Sequence, residues 1–237
     1  MLPFLLLFTA VLPEPVAVIP LHAELDHVQG IEVDDTRLWV TSVDRKAKKG
    51  WLHEFDLKTG TLKRKIELTR GEQYHPGGIS GSEQSLWIPI AEYRRNSTAT
   101  VQEVDKETFK LKRSFSVADH VGAVAVVNGK VLAANWDARQ IIDLSNGERK
   151  DNPHSTSYQD MKYVGGVLVA SGLVKGTGGA IDFLDPKTLE LKKRIEVSGK
   201  TDRGVVYTHE GMAIRGKKLY LLPEDGPSRL FIFDPPE

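Results

Sequence analysis

His27-Val-Gln-Gly-Ile31, His75-Pro-Gly-Gly-Ile79, His120-Val-Gly-Ala-Val124 and His209-Glu-Gly-Met-Ala213 are four versions of one motif, and their spacing decides the fold. Each opens an alternating apolar stretch that passes through a turn into a second one. The second stretches are Leu38-Trp-Val-Thr-Ser-Val-Asp44, Leu86-Trp-Ile-Pro-Ile-Ala-Glu92, Val131-Leu-Ala-Ala-Asn-Trp-Asp137 and Leu219-Tyr-Leu-Leu-Pro-Glu-Asp225. The histidines are 48, 45 and 89 residues apart, so a weaker unit lies between the third and the last. It reads Tyr158-Gln-Asp-Met-Lys-Tyr-Val-Gly165 followed by Val167-Leu-Val-Ala-Ser-Gly172. The chain is therefore five repeats of about 45 residues.

Further strands follow within each unit. Leu52-His-Glu-Phe-Asp56 ends in the turn signal Leu-Lys-Thr-Gly60, and Leu62-Lys-Arg-Lys-Ile-Glu-Leu68 returns as a fourth strand. The same Asp-x-x-Thr cadence recurs at Asp105 and Asp185. We read it as hairpin-turn chemistry rather than as a site, because Asp side chains accept hydrogen bonds from the backbone just ahead of them. Alternation of period two, with many Val, Ile, Leu and Trp, predicts strands throughout, and no segment holds a helical period. Four strands per repeat predict an all-β fold, a five-bladed β-propeller of four-stranded blades. The last unit stops after its third strand, Arg229-Leu-Phe-Ile-Phe-Asp234, while Val16-Ala-Val-Ile-Pro-Leu-His22 precedes the first blade. This N-terminal strand is expected to complete the last blade and close the ring.

Composition narrows the chemistry. The 237 residues carry 32 basic and 32 acidic side chains, so no global charge draws the protein to nucleic acid. Cysteine is absent, which excludes disulfides, thiolate nucleophiles and cysteine zinc sites. Any metal must be held by His, Asp or Glu. The donor set leaves room for a divalent metal without requiring one. The opening Met-Leu-Pro-Phe-Leu-Leu-Leu-Phe-Thr-Ala-Val-Leu has the length of a signal-peptide core and is too short to span a bilayer. Residues 1–13 are expected to be an apolar leader and residues 14–237 the propeller, in a secreted or periplasmic protein with no integral membrane segment.

In a propeller the first strand of each blade lines the channel and the second runs back antiparallel. The start of the first and the end of the second then share one mouth. His27 and Asp44 are 17 residues apart, as are His75 and Glu92, and His120 and Asp137; His209 and Asp225 are 16 apart. The fourth blade offers Gln159 and Asp160 instead. The connectors at the same mouth are basic, with Arg45, Arg94, Arg95 and Arg139, and Tyr93 and Trp136 lie beside them. These residues, with Gln29, form the expected binding set for a small polar or anionic molecule. Repetition in four blades also fits a second reading, in which each imidazole and carboxylate form a structural hydrogen-bonded pair. A third is acid–base or metal-assisted hydrolysis or elimination. No phosphate-binding loop, nucleophile elbow or His-Glu-x-x-His zinc motif is present.

Two resemblances rest on these stretches. His75-Pro-Gly-Gly-Ile79, Asp119-His-Val-Gly-Ala123, Asn135-Trp-Asp-Ala-Arg139 and Tyr158–Gly165 together resemble a bacterial propeller family known only as a domain of unknown function. This resemblance spans nearly the whole chain and implies a fold without an activity. More distantly, Gln29-Gly-Ile31 followed by Leu38-Trp39, Asp56–Gly60 and Lys65–Leu68 is similar to the opening blade of plant-type glutaminyl cyclases, also five-bladed. That likeness implies a cyclotransferase and carries over Gln29 alone. Pro76-Gly77-Gly78 stands where that family has Gly-Glu-Gly.

Overall fold

A computed structural model describes residues 8–176, 178–234 and 236. Two strands come before the repeats, β1 (Phe8–Val11) and β2 (Ala17–Pro20). Blade one is β3 (His27–Val33), β4 (Arg37–Asp44), β5 (Lys49–Asp56) and β6 (Leu62–Glu67). Blade two is β7 (Gln73–Pro76) with β8 (Ser80–Gly81), then β9 (Ser85–Glu92), β10 (Ala99–Asp105) and β11 (Leu111–Val117). Blade three is β12 (Ala123–Val127), β13 (Lys130–Ala134), β14 (Gln140–Asp143) and β15 (Arg149–Asp151). Blade four is β16 (Thr156–Val164), β17 (Val167–Val174), β18 (Gly178–Leu184) and β19 (Leu191–Val197). Blade five is β20 (Glu210–Arg215), β21 (Lys218–Pro223) and β22 (Arg229–Phe233). Within each blade neighbouring strands pair antiparallel. This is the expected all-β, five-bladed propeller.

Burial follows the radius. The innermost strand β3 is buried at every position, whereas β6 on the rim alternates half-buried and exposed. Inner strands are covered on both faces by neighbouring blades, so their sequences lose the polar half of the alternation. Five apolar clusters fill the spaces in and between blades; one joins Leu38, Val40 and Phe55 of blade one to Ala213, Leu222 and Leu230 of blade five. Near the axis the backbones approach closely. A side chain on Gly77 would lie 2.0 Å from the Gly122 carbonyl oxygen, and one on Gly78 would lie 2.5 Å from that of Gln159. The Gly-Gly pair after His75 is thus required by inter-blade contact.

The ring closes as expected. β2 pairs antiparallel with β22, with Ala17 opposite Ile232 and Pro20 opposite Arg229. Strand β1 adds something the sequence reading did not anticipate. It pairs parallel with β19, Phe8 opposite Lys193, on the outer edge of blade four. Leu12, just beyond it, is buried against Val197 and Phe231. Residues 1–7 of the expected leader lie outside the described residues. No helix among the described residues is long and apolar enough to cross a membrane.

The Asp-x-x-Thr turns do what turn chemistry requires. Asp56, Asp105 and Asp185 each accept hydrogen bonds from the backbone N–H two and three residues on. A second recurring device escaped the sequence reading. A third-strand carboxylate binds a fourth-strand arginine in Glu54–Arg64, Glu103–Arg113 and Asp182–Arg194, tying together the outer halves of three blades.

Candidate functional site

The inner strands β3, β7 and the segment before β12 bring His27, His75 and His120 together at one mouth, as the motif spacing predicts. The His27 and His75 rings stack 6.3 Å apart at 6°, and His75 and His120 lie 5.6 Å apart. Tyr93 sits 4.2 Å from His75, and Trp136 sits edge-on to His120 at 4.5 Å. A cavity of about 150 Å³ opens among these rings and is lined also by Gln29, Asn135, Asp137, Tyr158, Gln159 and Glu210.

The matched carboxylates are elsewhere. None of the four expected imidazole–carboxylate pairs forms. Asp44 caps its own turn by accepting from the Ala47 N–H at 2.7 Å. Glu92 binds Arg94 and Thr98. Asp137 lines the cavity but its carboxylate meets Arg95 at 2.6 Å. Asp225 is buried against Arg203 and Arg229. Each lies at the last residue of its strand or in the connector beyond, and each engages a nearby N–H or arginine in place of the imidazole across the blade. Blade three also departs from a continuous second strand. Its β13 ends at Ala134, and a tight turn follows with Asp137 at φ 58° and Ala138 at φ 49°. This turn holds Trp136 over the mouth, and Arg139 donates to the Trp136 carbonyl.

His209 corrects the motif register. Asp160 Oδ2 accepts from the backbone N–H of Ile31 at 3.0 Å and of Met212 at 3.1 Å. Gln29-Gly30-Ile31 therefore corresponds to Glu210-Gly211-Met212, and His209 stands one residue off the ring position. The odd interval of 16 rather than 17 residues between His209 and Asp225 was the sequence signal for this shift. Since side chains alternate faces along a strand, the shift puts Glu210 rather than His209 into the channel.

Glu210 and Glu224, which the spacing argument missed, are the carboxylates of this mouth. Glu210 is buried, its φ is 120°, and no hydrogen bond reaches its carboxyl among the described residues; His209 Nε2 is 3.4 Å away. Such a φ is strained for any side-chain-bearing residue, a cost that clusters at functional sites. Burial, with Glu224 adding repulsion, pushes the Glu210 carboxyl well above the usual range. Glu224 Oε1 lies 2.6 Å from His27 Nδ1 and 3.8 Å from Arg45. Burial works against its ionisation, yet the His27 contact and Arg45 hold it below the usual value.

His75 and His120 are neutral, and the three imidazoles differ in what they have left to offer. His120 Nδ1 is 3.1 Å from the Arg94 carbonyl oxygen and so donates to it, leaving the lone pair on Nε2. Burial lowers the His120 pKa to about 4. Gln29 Nε2 lies 2.8 Å from His27 Nε2 and donates to it, which puts the His27 ring proton on Nδ1. His75 is 8% exposed, and neither ring nitrogen has a partner among the described residues. Burial, then the nearby His120, His27 and Arg45, drive its pKa well below the usual value.

The fourth blade supplies Gln159 to the cavity wall. Asp160, expected there too, is instead wholly buried and fully engaged. Besides Ile31 and Met212, it accepts from the Met161 N–H at 2.9 Å and the Lys162 ammonium at 2.6 Å. Lys162 also donates to the Ile79 carbonyl at 2.7 Å. This pair ties blades one, two, four and five at the axis. Beyond it the opposite mouth opens into a basin of about 810 Å³ lined by Glu32, Asp34, Asp35, Lys106 and Arg215 among others. Its charges are largely spent on one another or on backbone, as in Asp35–Arg215, Asp34–Arg37 and Glu32 with the Gly81 N–H. The wider cavity and the unspent chemistry thus lie at opposite ends of the channel.

Residues 11–177 match the model of a family of unknown function, DUF6454. The chain belongs to that family. No curated protein matches it. Among solved structures, a bifunctional GH43-CE protein of Bacteroides eggerthii is similar over 94% of this chain and 34% of its own length, at 10% identity and TM-score 0.62. The Pan2 WD40 domain of Neurospora crassa matches over 84% of this chain and 74% of its own, at 13% identity and TM-score 0.49. TolB from Acinetobacter baumannii matches over 90% and 55%, at 15% identity and TM-score 0.46. Membership in DUF6454 brings no activity, and at these identities the likeness to solved structures concerns the fold.

Proposed function

We propose that the mouth walled by His75, His120, Tyr93 and Trp136 binds a small polar molecule, in a protein that is exported. The observation that carries the binding reading is His75. A buried imidazole with neither nitrogen partnered forfeits about 1–3 kcal/mol for each unsatisfied group, and native proteins rarely keep such groups without use. A neutral ring offers one donor and one acceptor. With the free lone pair of His120 and the amide of Gln159, His75 forms a hydrogen-bonding wall packed against Tyr93 and Trp136. Because these imidazoles are neutral, the wall suits an uncharged hydroxylated or amide-bearing molecule better than a phosphate. Export is supported by the apolar run that opens the chain, of which residues 8–11 here pair with β19.

The test is a thermal-shift and tryptophan-fluorescence titration with glycerol, erythritol, ribose, glycinamide and inorganic phosphate. Saturable stabilisation by a neutral member, lost in His75→Leu and in His120→Ala, is the expected outcome. Responses that are confined to phosphate, or that survive both substitutions, contradict the reading.

A further inference from the structure

At the rim of the same mouth three donor atoms converge from two blades. His27 Nδ1 comes from β3, a Glu210 carboxylate oxygen from β20, and a Glu224 oxygen from the connector after β21; all lie within 4.8 Å of one another. We propose that they bind one transition-metal dication of the Zn²⁺ or Mn²⁺ type. Small side-chain rotations, with no change of backbone, would bring the three donors to the about 2.0–2.2 Å that such an ion requires. One imidazole and two carboxylates make a mixed nitrogen and oxygen set, which suits these ions better than the all-oxygen set that Mg²⁺ or Ca²⁺ prefers.

Three separate observations point to an ion rather than to a self-sufficient cluster. First, His27 Nδ1 and Glu224 Oε1 approach to 2.6 Å, yet the ring N–H is not aligned for a hydrogen bond and Nδ1 counts as unpartnered. Two heteroatoms held close without a good bond between them are arranged for a third body. Second, the Glu210 side chain is only 6% exposed, and its one ion-pair contact among the described residues is a long one, to His209 Nε2 at 3.4 Å. Third, His75, unpartnered at both nitrogens, lines the same cavity as His27 and Glu210, with its ring stacked on that of His27.

The second shell fits as well. Gln29 contacts His27 Nε2 at 2.8 Å. When Nδ1 binds metal, the ring proton moves to Nε2 and the amide turns to offer its oxygen, fixing the ring as outer-shell partners do. Arg45, the competing cation, is 3.8 Å from Glu224 with a half-exposed side chain, so it can withdraw to solvent. Three protein donors leave the remaining coordination positions to water or to a molecule in the pocket. The ion would thus add an electrophilic point to the wall that His75 and His120 form. The proposal does not depend on any pocket ligand, because the metal is read alone.

The full chain is stripped with chelator, then titrated with Zn²⁺ or Mn²⁺ in the absence of any organic ligand. Bound metal is measured by elemental analysis after desalting, and melting temperature in parallel. The expected result is one equivalent retained and a saturable rise in melting temperature. Glu224→Gln and His27→Ala should each weaken binding at least tenfold, while His120→Ala retains the metal. Retention below 0.2 equivalents, or equal retention by folded Glu224→Gln and His27→Ala variants, overturns the proposal. Should a variant fail to fold, Arg45→Ala decides, since removing the competing cation must tighten metal binding; unchanged or weaker binding counts against the site. Loss of the metal site with intact binding of a neutral polyol would leave the pocket standing, and the reverse outcome would leave the metal standing.

Discussion

Ile31 in blade one and Met212 in blade five donate their backbone N–H groups to the same oxygen, Asp160 Oδ2, across the propeller axis. The other carboxylate oxygen receives the Lys162 ammonium, which reaches on to the Ile79 carbonyl of blade two. Burial raises the Asp160 pKa to about 6 even beside Lys162, so the carboxyl is largely ionised at neutral pH. One side chain from the least repetitive blade therefore organises the axis.

The consequence for stability is direct. Asp160→Ala takes the partner from the buried Lys162 side chain and from three inner N–H groups, those of Ile31, Met161 and Met212, for which a loss of about 3–5 kcal/mol is expected. Chemical denaturation of wild type and variant measures it, and a loss below about 1 kcal/mol would show that the axis does not depend on this carboxylate.

His75 should behave in the opposite way. His75→Leu removes two unsatisfied buried nitrogens at little change in volume, so the melting temperature is expected to hold or rise while pocket binding disappears. A clear drop in melting temperature would mean that His75 is a packing residue, and the stability cost inferred for its bare nitrogens would be wrong.

Acid should destabilise the protein between pH 6.5 and 4. His120 and His53 both have pKa values lowered from 6.5 to about 4, chiefly by burial. In that window the unfolded chain binds protons that the folded one refuses, so stability is complete above pH 6.5 and is lost as pH falls toward 4. Asp160 acts with the opposite sign, since its pKa is raised from 3.8 to about 6 and it favours the folded state as pH falls. Glu210, also raised, acts as Asp160 does, whereas His75 and His209, also lowered, act with His120 and His53; four histidines against two carboxyls make the net slope loss in acid. Melting temperatures from pH 4 to 8 test this, and His53→Gln should flatten the curve.

The two N-terminal strands make different predictions. Removing residues 14–22 deletes β2 and opens blade five, which exposes the edge of β22; cooperative melting should be lost. Removing residues 1–13 deletes β1 and Leu12 but leaves β2 in place, so a cooperative melt should persist at a lower temperature. Circular dichroism melts of the two truncations separate these outcomes.

Much of this was legible in the chain. Period-two alternation and turn chemistry are local, and their recurrence every 45 or so residues specifies blades, blade number and the closing strand. The three clustered histidines were legible for the same reason, since each sits at or near the start of an inner strand. The carboxylates were not. Asp44, Glu92 and Asp225 keep their spacing to the histidines but spend their oxygens on nearer partners. Glu210 hid behind His209, where a one-residue shift of register exchanges channel and outer face.

The sequence by itself determined the five repeats, the four-stranded blades and the strand from residue 17 to 20 that closes them, because these follow from local periodicity and from the count of strands. The tertiary structure alone decided which acids meet which imidazoles. Glu210 and Glu224 share one hairpin of blade five, but His27 lies near the other end of the chain and meets them only once β20 is seated beside β3. That seating is fixed by Asp160, a residue of a third blade, whose hydrogen bonds set the register of the other two.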